Sequence, residues 1–259
     1  KKWPSEPLLL FDFALVALQA RRAEQQREAI DTLEKLWYEN PEVATEYHDE
    51  AQTARGLALL LLNRPAEALA EYQAAIRFDP KVARWHSSAG SDLATLGHPD
   101  EALQEFAEAE RLKPDYAQPH IETAKLCFHQ SRDAEAVAEL HAALRAEPDN
   151  FHTLATVARY LAANADADAR DSRAALQFAR KANGLSGRMQ PFVFDVLGMA
   201  YAENGDFSNA VAAAQNALQL AEAAQLNNLS AISNRLVLYQ NRQPWRESFR
   251  ATNAPVRIR

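Results

Sequence analysis

The chain has 259 residues, 47% of them hydrophobic, and carries 28 basic against 35 acidic side chains for a formal net charge of −7. That balance argues against nucleic acid as the main partner, and the single cysteine, Cys127, excludes an internal disulfide and any cysteine-rich metal site. Ala and Leu dominate and β-branched residues are scarce, which favours helix; the apolar run Leu57 to Leu62 is far too short to cross a membrane. Lys1 rather than Met opens the chain, as expected of a processed or excised piece whose leader or anchor lies outside it.

In chain order, a first helix–turn–helix pattern covers about residues 10–43, with Ala17, Ala29, Leu33, Leu36 and Pro41; Ala44 to His48 then intervene. The next three patterns abut without an inserted residue, over 49–82, 83–116 and 117–150. Their columns stand 34 residues apart: Pro80/Pro114/Pro148, Ala68/Ala102/Ala136, Ala75/Ala109/Ala143 and Tyr72/Phe106/Leu140. A repeat of this length is one supersecondary unit stacked on copies of itself. Gly56, Gly90 and Ala124 fall where two helices of a unit cross closely, so a small side chain is needed there. Tyr72, Phe106 and Leu140 fill the wedge between units, and each proline ends its second helix. Gly97 supplies the left-handed conformation of a tight turn.

A fifth pattern, about 151–189, carries Leu154, Val157, Ala158 and Leu161, but an insertion from Asn164 to Arg173 delays its second helix. A sixth, 191–224, carries Phe194, Gly198, Tyr201, Gly205 and Ala210 and lacks a closing proline. Residues 229–240 form an amphipathic cap helix that covers the last apolar face. The remainder, 242–259, holds five arginines against Glu247 and is expected to be a solvated, frayed tail rather than a docking segment for an acidic partner.

These columns resemble the tetratricopeptide repeat, of a bacterial type, over most of the chain. The resemblance implies an all-α fold: a right-handed superhelical solenoid of about six helix–turn–helix units plus a C-terminal capping helix. Residues 151–247 are also similar to the closing repeats of bacterial members, some attached to membrane glycosyltransferase-like or multihaem cytochrome proteins. This implies a periplasmic setting or a membrane-associated complex, with a cytoplasmic one left open. Some members clamp a partner's terminal carboxylate; here the corresponding places carry Ser87, Ser91, Glu122, His152 and Thr156, which is not that clamp. The asparagine ladder of the sugar-transferase members is likewise replaced, by Ala54, Ser88, Glu122, Thr156 and Val196.

Six histidines fall between residues 86 and 152, and His86 and His120 are one repeat apart. With no carboxylate column expected beside them, packing and surface roles outweigh a metal or haem site. Asp166, Asp168 and Asp171 in the insertion lack the glycine and closing glutamate of a calcium loop; a polar loop with Asp171 or Ser172 capping the next helix is expected. Cys127 falls on a packed face and is expected to be inert. No cofactor and no catalytic residue is assigned.

The weight falls on the inner wall lined by the first helices. Register places there Leu57, Arg84, Ser87, Ser91, Gln118, Ile121, Lys125, His129, His152, Arg159, Phe192, Asp195 and Met199. This mixed wall suits an extended peptide or helix with a few anchors. The expected function is a non-catalytic scaffold or adaptor binding a protein or peptide through that groove, with self-association permitted. The alternative is an accessory segment of a larger exported or membrane-associated enzyme or multihaem electron-transfer protein.

Overall fold

The computed structural model describes residues 64–226 and 229–250, and Leu57 with the pattern over 10–43 lies outside them. The chain divides into two units, residues 1–114 and 115–259. The described residues hold ten helices and no strand. No helix among them is long and apolar enough to cross a membrane.

Unit 1 contains α1 (Pro65–Phe78), α2 (Ala83–Thr95) and α3 (Pro99–Leu112). Unit 2 contains α4 (Ala117–His129), α5 (Asp133–Ala146), α6 (Phe151–Ala163), α7 (Ser172–Leu185), α8 (Pro191–Glu203), α9 (Phe207–Ala223) and α10 (Leu229–Gln240). Proline opens α1, α3 and α8, where its missing N–H costs no helical bond.

The second helices α1, α3 and α5 stop alike. The N–H of Asp79, Lys113 and Glu147 donates to the carbonyl of Ala75, Ala109 and Ala143 at 2.9, 2.9 and 3.0 Å. The proline one position later cannot add the next bond. The turns inside a pair are also shared. Gly97, Ser131 and Gly205 all take positive φ, and the following N–H of His98, Arg132 and Asp206 donates back to Leu93, Cys127 and Tyr201 at 2.9, 2.8 and 3.0 Å. Side chains cap three helices: Asn150 accepts from the His152 and Thr153 N–H groups, Asp171 from Ala174 and Asp206 from Asn209.

The repeating columns are consumed by packing. Ala68, Ala102, Ala136, Ala75, Ala109 and Ala143 are fully buried, as are Tyr72, Phe106 and Leu140. In unit 1, Tyr72 packs with Trp85 and Ala89, and Phe106 lies on Gly90. A Cβ on Gly90 would sit 2.5 Å from the Phe106 ring, so the crossing of α2 and α3 depends on its absence. In unit 2, Cys127, Phe128 and Leu140 join Val157, Tyr160 and Leu161 in a core that extends to Val196, Met199 and Ala200 of α8. The cap helix α10 covers its end: Tyr239 is fully buried and its ring lies against Gly198, while Ile232 packs on Ala217 and Ala221.

One ion pair is sealed beneath that cap. Arg235 of α10 donates two hydrogen bonds to the Asp195 carboxylate of α8, at 2.8 and 2.6 Å. Burial raises the Asp195 carboxyl against the lowering pull of Arg235. In unit 1, Asp92 is fully buried and neither carboxylate oxygen has a hydrogen-bond partner; burial pushes its pKa up to about 7.

Candidate functional site

The wall of first helices is narrower than the repeat register implies. On α2, Arg84 is exposed and Ser91 half-buried, but Ser87 is buried, and the Ser91 hydroxyl donates to the Ser87 carbonyl at 3.0 Å. On α4, Gln118 and His129 are exposed and Lys125 half-buried. Ile121 instead packs on Ala143 of α5 and is 5% exposed. Gln118 and Lys125 both donate to the same Glu122 oxygen, at 2.7 and 2.6 Å, so part of the wall's polarity is spent internally. On α6, His152 is exposed, with its ring edge-on to half-buried Phe192 of α8 at 5.7 Å. Asp195 and Met199 of α8 turn inward, the first onto Arg235 and the second into the unit 2 core. Ser87, Ile121, Asp195 and Met199 therefore do not present side chains to a partner. Register gives a direction around a helix, not what lies across from it.

Two histidines have carboxylates facing them. His86 Nδ1 lies 2.7 Å from a Glu105 oxygen, and its Nε2 lies 3.0 Å from the Pro80 carbonyl oxygen. One repeat on, His120 Nδ1 lies 2.8 Å from a Glu139 oxygen. Glu105 and Glu139 thus form a carboxylate column beside these histidines, contrary to expectation. Each pair joins a first helix to the second helix of the same repeat. Cys127 is a buried free thiol, and burial raises its pKa.

The C-terminal segment departs from expectation most. Through Arg250 it is docked, not frayed. Residues 244–250 run without helix beside the insertion that follows α6, with a bend at Arg250. Glu247 donates its N–H to the Ala163 carbonyl at 2.7 Å, and its own carbonyl accepts from Ala165 at 2.9 Å, an isolated parallel bridge. Its carboxylate takes two bonds from Arg159, the wall residue of α6. The Phe249 ring lies 4.5 Å from Tyr160 and 6.0 Å from Phe128, with the Arg159 guanidinium over it at 5.9 Å. Arg250 pairs with both Asp133 and Asp166. Arg246 and Arg170 share Glu203, at 2.6 and 2.9 Å, and Arg235 lies 5.5 Å over the Trp245 ring. A cavity of about 300 Å³ remains between the insertion and the tail, lined by Asn164, Ala165, Asp166, Ser248, Phe249 and Arg250.

A tetratricopeptide repeat model matches residues 11–83 and 88–151, more than half of the chain, and a second model of that description matches 194–223. No curated protein matches the sequence. Solved structures share the fold at low identity. A chain of the APC/C hetero-tetramer Cut9–Hcn1 aligns at TM-score 0.62 and 17% identity over 91% of this chain. The present chain spans only 42% of that one. TTC0263, a thermophilic tetratricopeptide repeat protein of Thermus thermophilus, aligns at 0.57 and 18% over 74% of this chain and 98% of its own. PilW, a widely conserved type IV pilus biogenesis factor, aligns at 0.58 and 16% over 89% of this chain and 100% of its own.

Proposed function

The chain belongs to the tetratricopeptide repeat family, a protein-interaction repeat, and we propose on that footing that it is a non-catalytic scaffold holding a peptide or partner protein against the wall of its first helices. The observation that supports this most is the division of labour among side chains. The alanine columns and the column Tyr72/Phe106/Leu140 are buried, while in unit 2 Gln118, Lys125, His129 and His152, which do not keep the column pattern, remain at least partly exposed on the first helices. Packing uses the first set and leaves the second for recognition. Helix ends and turns are satisfied by backbone and cap bonds, so the surface is preformed and little ordering cost falls on the scaffold when it binds.

Cross-linking of the native protein followed by mass spectrometry identifies the partner and the residues it touches. Titration of that partner against Lys125→Glu and His129→Glu then tests the wall. Affinity should fall at least about tenfold while the helical signal is kept, since each change sets a repulsive charge where a polar or basic group stood. Unchanged affinity would move the site off the first helices.

A further inference from the structure

The two segments of unit 2 that break the repeat, the insertion after α6 and the C-terminal tail, meet each other. The tail has the form of a bound peptide rather than of a loop. Along 245–250 exposure alternates with period two: Trp245, Glu247 and Phe249 are half-buried, whereas Arg246, Ser248 and Arg250 are exposed. That is the pattern of a strand with one face on a surface. The buried face carries an aromatic, an acid and a second aromatic, and each meets a matching group. Trp245 packs beside Tyr239 and Arg235, Glu247 is held by Arg159, and Phe249 enters the Phe128–Tyr160 pair. Main-chain bonds to Ala163 and Ala165 fix the register. Backbone pairing for affinity and pockets for alternate side chains is how folded domains take extended peptides.

Resting on the scaffold reading above, we propose that this face of unit 2 is a binding site for an extended partner segment bearing Glu, then an aromatic two residues on and Arg or Lys next, and that residues 244–250 are its built-in competitor. Charge complementarity selects this chemistry: one cation, Arg159, faces the acid, and two anions, Asp133 and Asp166, face the terminal base. The polar part of the tail's hold is light. It makes two main-chain bonds at its bridge, and its ion pairs are partly solvated, where such pairs contribute little. A partner segment that made the same contacts and also covered the insertion residues Asn164, Ala165 and Asp166 beside the tail would displace it.

The test uses the full-length chain and a fluorescently labelled peptide of its own residues Gln243–Arg250 as probe, followed by anisotropy. Against the unaltered chain the peptide competes with a tethered copy of itself at an effective concentration in the millimolar range, so binding is weak. In the Glu247→Ala/Phe249→Ala chain the tail is released and the face left intact. The peptide should then bind at least about tenfold more tightly, because the competent fraction rises. A peptide with alanine at its Glu and Phe positions should not bind, and adding Arg159→Glu to the released chain should abolish binding. If the double substitution disturbs folding, Arg250→Glu alone, facing Asp133 and Asp166, should shift affinity in the same direction. A folded, released chain that binds the peptide no better, or binds the alanine peptide equally, overturns the proposal. So does a dimer with exchanged tails in the unaltered protein, which would make a second copy the occupant. If the peptide fails while partner cross-links to the wall persist, this proposal alone falls; if no cross-link reaches the wall, the scaffold reading falls with it.

Discussion

Gly90 and Phe106 offer a test of the packing in which the sign of one substitution should reverse. An ideal Cβ on Gly90 lies 2.5 and 2.7 Å from two carbons of the Phe106 ring and 3.1 Å from the Ala102 carbonyl oxygen. Carbon pairs are comfortable at about 3.5–4.0 Å, so the ring would have to retreat by about 1 Å. Phe106 is fully buried and has nowhere to go. Overpacking of this kind costs about 1–3 kcal/mol, and the upper end applies to a ring that cannot move. Alanine in place of glycine in a helix returns about 1 kcal/mol, leaving a net loss of about 2 kcal/mol for Gly90→Ala. One repeat later the same two positions hold Ala124 and Leu140, both fully buried. The methyl is tolerated where the partner is Leu. Phe106→Leu alone should therefore cost about 1–2 kcal/mol as a large-to-small change. Adding Gly90→Ala in that background should stabilise by up to about 1 kcal/mol. Gly198→Ala serves as the comparison: its nearest neighbours lie at 3.3 Å, and its effect should be near zero. Urea unfolding followed by far-UV circular dichroism, with amide exchange in α2 and α3 as a local readout, measures the cycle. The same sign for Gly90→Ala in both backgrounds would refute the account of the crossing.

Three further outcomes follow from buried or strained groups. Asp92 has a folded pKa of about 7, above the ordinary value of 3.8, so its contribution to stability is fully present below about pH 4 and is lost as pH rises towards 7. Asp92→Asn should remove that slope and stabilise the protein at pH 8 by at most about 4 kcal/mol, about three pKa units at about 1.4 kcal/mol each; identical melting profiles at pH 5 and 8 for the two proteins would contradict this. Arg235→Leu leaves the Asp195 carboxylate buried and uncompensated and should cost about 3–5 kcal/mol, whereas Asp195→Leu/Arg235→Leu should recover most of it; equal losses for the single and double changes in urea unfolding would show that the pair is not the cause. Ser131 sits at φ 59° where the equivalent turns have Gly97 and Gly205, so Ser131→Gly should stabilise the protein by about 1 kcal/mol, read as a higher urea midpoint with an unchanged slope.

Much of the scaffold was legible because the repeat states its own packing three times. Each column of small residues marks a helix crossing, and the structure buries those columns without exception among the described repeats. The wall was legible only in part. Ser87, Ile121, Asp195 and Met199 occupy inward-looking register positions, yet what lies opposite them differs by repeat: Ala143 for Ile121, Arg235 for Asp195. No property of the first helix alone reveals that. The carboxylates facing His86 and His120 could have been read, since Glu105 and Glu139 keep the 34-residue step. They lie on second helices, outside the wall lined by the first helices.

The tail shows how composition hides pattern. Five arginines against one glutamate read as a solvated extension, and net charge says nothing about fold. The informative signal was the alternation Trp245, Glu247, Phe249, a period-two stripe in a chain otherwise written in helical periods. A stripe of that period needs a surface with unpaired backbone groups. Regular helices have none along their length, because each N–H and carbonyl is already bonded within the helix. The insertion from Asn164 onward supplies them, since leaving the helix frees Ala163 and Ala165 to bond Glu247. The insertion and the tail are thus complementary departures from the repeat, and each explains why the other is there. The peptide-binding face proposed for unit 2 accordingly lies where the 34-residue step fails. Replacing the insertion by a tight turn should therefore remove the backbone groups that bond Glu247.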